Sequence, residues 1–248
     1  MQKLRLLFVI VCLGLLAAIG FGANSTALAQ DQSGDVVFKT PEDAITLYMQ
    51  GIAESDIDKI LQACAINEMS ENFKLDLSIA RIGVLDPYQS QAPSDYAFYA
   101  EMNKAQQSAR ILSQVRLFTF SLLSSEDIAS GTIIRMDEAR TAQFIKDVDP
   151  ARLAQIEVKK IGIPFPRIIE SANYVENTTK LAQVYGADEY SERVVLFQFE
   201  GNDYGAGFTL LRYGENWKIM SASSPVANLV PSGATGKITE ADFEKMLQ

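Results

Sequence analysis

Histidine is absent from all 248 residues. With it go the Ser-His-Asp and Cys-His catalytic arrangements, histidine-containing zinc sites and the commonest general base at neutral pH. Cysteine is nearly absent: Cys12 lies in an N-terminal apolar run expected to be removed, which leaves Cys64 alone. Neither a disulfide framework nor a thiolate cluster can be built from one thiol, and Cys64 reads as a buried, inert residue on a helix. Cations are also in short supply, with 22 Lys and Arg against 31 Asp and Glu and a formal charge of −9. A chain with no cationic excess cannot displace counterions from phosphates, which excludes nucleic acid and an anionic membrane surface as partners. No cofactor motif and no metal-ligand spacing occurs. No cofactor, metal ligand or catalytic residue is therefore expected.

The N-terminus carries a secretory pattern. Lys3 and Arg5 form a positive start, Leu6 to Phe21 an apolar run, and Ala27-Leu28-Ala29 places small residues where a signal peptidase reads them. Cleavage before Gln30 is expected, and with it a secreted or extracytoplasmic (cell-envelope) location. An uncleaved anchor is the alternative and the only expected route to a membrane, although Gly14, Gly20 and Gly22 interrupt the run. A lipoprotein is disfavoured because Cys12 sits inside the run behind Val11. The expected organisation is a signal peptide over 1–29, a spacer over 30–39, a single α+β domain over 40–224, and a flexible tail over 225–248 with a short terminal helix.

Helical signals fill the first half of the mature chain. Thr40 is a capping residue, Pro41 suits the first helical position, and Asp43 stands where a capping-box acid stands. Ala44, Ile45, Tyr48 and Ile52 then recur on one stripe. Ser55-Asp56-Ile57-Asp58 marks a second start. Glu54, Asp56 and Asp58 read as complements to a helix dipole, because calcium-loop spacing is not met. Phe73, Leu77 and Ala80 suit a third helix over 69–85. From Ser94 a long pattern runs through Tyr96, Tyr99, Met102, Ala109, Leu112, Val115, Phe118 and Leu122 without Gly or Pro. It predicts one core helix buried against a sheet, with Tyr96, Phe98 and Tyr99 as core aromatics. Shorter helices are expected over 137–147, 174–185 and 239–247. Before the last, Gly236 to Phe243 echoes half an EF-hand, but Pro231, Gly233 and Thr235 occupy its ligand positions.

Strand signals concentrate at the other end. From Arg193 to Ser223, three apolar runs are separated by Gly201-Asn202-Asp203 and Gly214-Glu215-Asn216, which predicts an antiparallel meander. In the first run Val195, Phe197 and Phe199 share one face, and Val194, Leu196, Gln198 and Glu200 the other. Residues 155–163 read as a fourth strand. Gly205 and Gly207 strip one strand face, making room for a ligand or a closely approaching helix; a bulge accounts for them equally well. The fold class is α+β, a curved antiparallel or mixed sheet, mainly C-terminal, packed on several N-terminal helices.

Two segments carry a resemblance. TPEDAITLYMQGIAESDIDKIL, Thr40 to Leu61, resembles the first helices of the NTF2-like (cystatin-like cone) superfamily. GFTLLRYGENWKI, Gly207 to Ile219, is similar to the last hairpin of its secreted, uncharacterised members. Residues 69–185 depart from the family pattern by extra helices. The resemblance implies a bent sheet wrapped around a helix, with an apolar cavity at one end of the cone. Enzymes on this scaffold place a carboxylate, often with His or Tyr, at the cavity floor, and here His is missing. The expected function is accordingly a secreted, non-catalytic module, not an enzyme, that binds a small apolar ligand or a partner segment in a cone-shaped pocket. Tyr48, Phe197, Phe199, Phe208 and Trp217 are its candidate binding residues. One alternative is a carboxylate-only hydrolase or isomerase, with acids such as Asp76 raised in pKa by burial. The other is a cell-envelope surface interaction protein, which a filled cone and an exposed apolar patch would favour.

Overall fold

A computed structural model describes residues 36–86, 90–229 and 233–248. The expected signal segment, its cleavage site and the anchor alternative lie outside these residues. Residues 37–248 form one compact unit, and among the described residues no helix is long and apolar enough to cross a membrane.

The opening helix, α1 (Pro41–Ala53), begins as its sequence requires. The Thr40 hydroxyl accepts from the Asp43 amide, and the Asp43 carboxylate accepts from the Thr40 amide at 3.0 Å. Ala44, Ile45, Tyr48, Met49 and Ile52 turn one stripe inward. Asp56 caps α2 (Ile57–Gln62) by accepting from the Lys59 amide at 3.1 Å, while Glu54 pairs with the Lys59 ammonium. These acids thus serve the helix start, and among the described residues no acidic or thiol cluster is arranged for a metal.

The single helix expected over 69–85 is two, α3 (Ile66–Glu71) and α4 (Leu75–Ile82). The break falls where the Lys74 amide donates to the Val184 carbonyl at 2.8 Å and Phe73 turns to the Tyr185 ring, 5.9 Å away. A local helical period yields here to a tertiary contact. The long helix, α5 (Ala97–Leu123), forms as expected, including its β-like second half. Its buried stripe keeps the expected Phe118 and Leu122, but in the first half it passes through Asn103, Gln107, Ile111 and Gln114 in place of Tyr96, Tyr99 and Met102. Tyr96 and Phe98 stand 64% and 72% exposed, so the expected aromatic core at this end is a surface. The Asn103 amide explains the difference: it exchanges two hydrogen bonds with the backbone of Ala92, at 2.9 and 2.8 Å. A buried amide so satisfied holds its helix face inward.

After α6 (Glu138–Asp147) comes the first strand, β1 (Glu157–Gly162), then α7 (Pro166–Ile169) and α8 (Ala172–Val184). The meander follows as β2 (Glu189–Phe199), β3 (Asn202–Tyr213) and β4 (Asn216–Ser221), all antiparallel in the order β1-β2-β3-β4. Glu200 and Gly201, at φ 46° and 76°, form the two-residue loop between β2 and β3. Positive φ at both positions suits the twist of a tight hairpin, so the turn sits one residue earlier than the Gly-Asn-Asp signal suggested. The outer edge of β4 is covered: the Trp217 amide donates to the Phe38 carbonyl at 2.8 Å, and Ile219 exchanges hydrogen bonds with Ala63 and Ala65. An open edge would be a template for other chains.

The sheet is covered on both faces. Val195, Phe197 and Phe199 of β2, with Ala206, Phe208 and Leu210 of β3, pack against α1, α2 and α5. On the opposite face Val194 and Leu196 pack against Phe243 and Met246 of a terminal helix, α9 (Glu240–Met246). Elsewhere on the sheet, Leu211 packs with Met69 of α3 and Ala182 of α8. The flexible tail expected from 225 onward is corrected by this packing. Residues 236–237 form β5, which pairs with β3 at Tyr204 and Gly205, and Phe243 is fully buried. The glycines of β3 make this crossing possible, since a Cβ on Gly207 would lie 2.7 Å from the backbone nitrogen of Ser224. The space that alternate glycines leave is filled by the chain itself.

Candidate functional site

The five candidate binding residues converge, and they converge as core. Tyr48, Phe197, Phe199 and Phe208 are essentially inaccessible and Trp217 is 9% exposed, all within one cluster. Phe197 is stacked between Phe118 and Tyr204, at centroid distances of 5.5 and 5.8 Å. Tyr48 meets Phe208 edge-on at 5.3 Å. At the far end the Arg152 guanidinium lies 5.7 Å from the Phe199 ring and forms a bidentate pair with Glu200, both bonds 2.8 Å. These side chains fill the interior of the cone. None of the five lines the three concavities described below.

One polar atom is stranded in this core. The Tyr48 hydroxyl is buried without a hydrogen-bond partner among the described residues, and burial pushes its pKa well up. Cys64 is close by, buried, its thiol donating to the Ile60 carbonyl at 3.2 Å. Removing an unsatisfied hydroxyl while keeping the ring removes a desolvation cost. Tyr48→Phe should therefore be as stable as the parent or about 1 kcal/mol more stable in urea denaturation. A loss of more than about 1 kcal/mol would show that the hydroxyl has a partner, such as a ligand inside the cone.

A second polar feature lies where α8 meets the sheet. Glu192 of β2 is completely buried. A carboxylate has about four lone-pair sites and no donor. Here Oε1 accepts from the Tyr174 and Tyr190 hydroxyls, and Oε2 from the Ser224 hydroxyl and the Val226 amide. Burial, reinforced by the adjacent carboxylate, raises the pKa of both tyrosines. With every lone pair engaged, Glu192 binds the segment after β4 to β2 and α8. It is a structural tie, with nothing left over for a substrate.

A cleft of about 480 Å³ lies on the flank. Arg110, Gln114 and Leu117 of α5 form one wall, Leu181 of α8 another, and Thr209, Met220, Ser221 and Ser223 the floor. No Asp or Glu lines it. The Arg110 Nη2 donates to the Met220 carbonyl at 2.8 Å, whereas Nε is buried with no partner. Burial lowers the pKa of this guanidinium, and no carboxylate pairs with it among the described residues. Residues Asn103, Gln107, Arg110 and Gln114 recur at helical spacing as a polar stripe on the helix. That stripe is the sequence signal for the cleft, beside the aromatic spacing of Tyr96, Phe98 and Tyr99.

Two other concavities flank α4. Asp76, Glu71 and Asp95 line a wide depression of about 810 Å³, and all three are exposed. No pair of buried, facing carboxylates occurs there. The other, about 490 Å³, lies between Leu85, Gln91 and Met102.

No protein-family model and no curated protein matches the chain by sequence. Among solved structures it is similar to a cystatin-like protein from Ruminococcus gnavus, at 22% identity and a TM-score of 0.52. The alignment covers 74% of this chain and 40% of that one, so the likeness concerns less than half of the other protein. The chain thus has a cystatin-like α+β fold with a curved antiparallel sheet and added helices. A likeness at this identity establishes fold and leaves function to the site.

Proposed function

We propose that the protein is a secreted, non-catalytic binding module of the NTF2-like type, which takes a small ligand on its flank and not at the cone floor. The observation that carries this is the contrast between the two places. The cone is packed with its own aromatic side chains, while the flank cleft combines an unpaired guanidinium, hydroxyls and apolar wall in a volume typical of small-molecule sites. A carboxylate-driven enzyme fits less well, because the cleft has no acid and Glu192 is saturated by four donors. The exposed Tyr96, Phe98 and Met102 favour a second reading, in which this apolar surface of α5 meets a protein partner in the cell envelope.

Native mass spectrometry of the protein produced by its own host separates these readings. The expected species is a chain beginning at Gln30 with a small adduct of constant mass. Retention of Met1 would remove the secreted reading, a stoichiometric second chain would favour the partner surface, and a bare monomer would count against ligand binding.

A further inference from the structure

We propose that the flank cleft is a site for a small monocarboxylate with an apolar body, its carboxylate held by Arg110 and by a serine hydroxyl. This deepens the flank reading above and rests on it.

Arg110 and the serines of the cleft floor carry more donors than the described residues use. A guanidinium carries five N–H donors, and for Arg110 the structure shows one hydrogen bond, from Nη2 to the Met220 carbonyl. Its Nε is buried without a partner. The second donor follows from counting protons. The Ala222 amide donates to Gln114 Oε1 at 2.9 Å, which fixes the orientation of that side chain, and Gln114 Nε2 then donates to the Ser221 hydroxyl at 2.8 Å. Ser221 and Ser223 share one hydrogen bond, 2.9 Å between their hydroxyl oxygens. Two hydroxyls bring two protons and that bond uses one. Whichever way it runs, one serine proton on the cleft floor has no acceptor among the described residues. Among the described residues neither serine hydroxyl is hydrogen-bonded to that of Thr209, whose own proton goes to the Ser223 carbonyl at 2.7 Å.

Charge and shape narrow the class. Among the described residues Arg110 is the one cation lining the cleft and no anion lines it, so a single negative charge balances the site and a second would go unanswered. A buried guanidinium without a counterion is costly, and a carboxylate presents two coplanar oxygens that match its fork. Beyond the polar floor, Leu117, Leu181, Met220 and Pro225 provide an apolar wall for the remainder of the ligand.

The test is calorimetric titration of the purified protein with sodium octanoate, octan-1-ol and octyl phosphate, alongside methionine-methyl NMR to follow Met220. Octanoate should bind about 10–100-fold more tightly than octanol, as expected for a hydrogen-bonded charge, and should shift the Met220 signal. Arg110→Gln should abolish that preference while leaving octanol binding unchanged, and Ser223→Ala should weaken octanoate by about tenfold or less. The comparison of octanoate with octanol in the parent protein decides the matter even if Arg110→Gln fails to fold. Equal binding of octanoate and octanol with a Met220 shift would overturn the carboxylate assignment and leave the flank cleft standing. Tighter binding of octyl phosphate would overturn the monoanion class. Octanoate binding without a Met220 shift would place the site elsewhere, and no binding of any probe at millimolar concentration would overturn both readings.

Discussion

Phe197→Ala should lower stability by about 3–5 kcal/mol, the cost of emptying a fully buried aromatic site that cannot collapse. For a domain of this size that corresponds to a fall in Tm of roughly 6–20 °C. The position has no slack. Phe118 of α5 lies on one side of the ring, Tyr204 of β3 on the other, and the side chain has no accessible surface. Neither neighbour can follow a retreating side chain, because Phe118 is carried by a helix whose polar stripe is tied to the backbone at Ala92 and Ala222. Equilibrium denaturation in urea measures the loss. A cost below about 1 kcal/mol would mean that the ring is loosely held, and the cone would then be an open pocket after all.

Glu192→Ala should lose about 3 kcal/mol or more, since it strands donors in a buried place and each stranded donor costs about 1–3 kcal/mol. The Tyr174 hydroxyl is half-buried and can turn to water. The Ser224 hydroxyl is buried, and the Tyr190 hydroxyl is more enclosed than that of Tyr174. Glu192→Gln should lose less, about 1–3 kcal/mol, because one oxygen still accepts while the new amide group opposes the remaining donors. Hydrogen exchange supplies the local readout. The Val226 amide should be protected in the parent and exchange much faster in either variant, because the segment after β4 is released from the sheet. If both variants keep parental stability and Val226 stays protected, the carboxylate is not the tie that the geometry indicates.

Both expectations rest on features of unequal visibility in the chain. The capping box at Thr40 and Asp43, the α5 helix through its β-like half, and the alternating face of Val195, Phe197 and Phe199 are all local. They arise from backbone sterics and from the periods of helix and strand, which read off a few neighbouring residues. The aromatic segment at Tyr96 to Tyr99 misled for an equally physical reason. Helical spacing identifies a stripe but not which of two adjacent stripes turns inward, and here the stripe of Asn103 turned inward with its amide bound to the backbone at Ala92. The terminal helix read as a tail for a similar reason. A Pro-, Gly- and Ser-rich link carries no mark of where its far end docks, and only the sheet offers Phe243 the partners Val194 and Leu196.

From the chain alone came the catalytic chemistry ruled out by lacking histidine, the α+β class, the meander with its apolar face, and the helix starts, all consequences of residue type and short-range geometry. The tertiary structure alone decided that the five aromatic candidates close the cone, that Phe243 and Met246 of α9 cover Val194 and Leu196 on the sheet's other face, and that Arg110 and a serine pair line one flank cleft. Those outcomes depend on contacts between residues about a hundred positions apart, such as Gln114 with Ser221 and Ala222. No local period encodes them, because burial is settled by which surfaces meet once the sheet and its helices have packed.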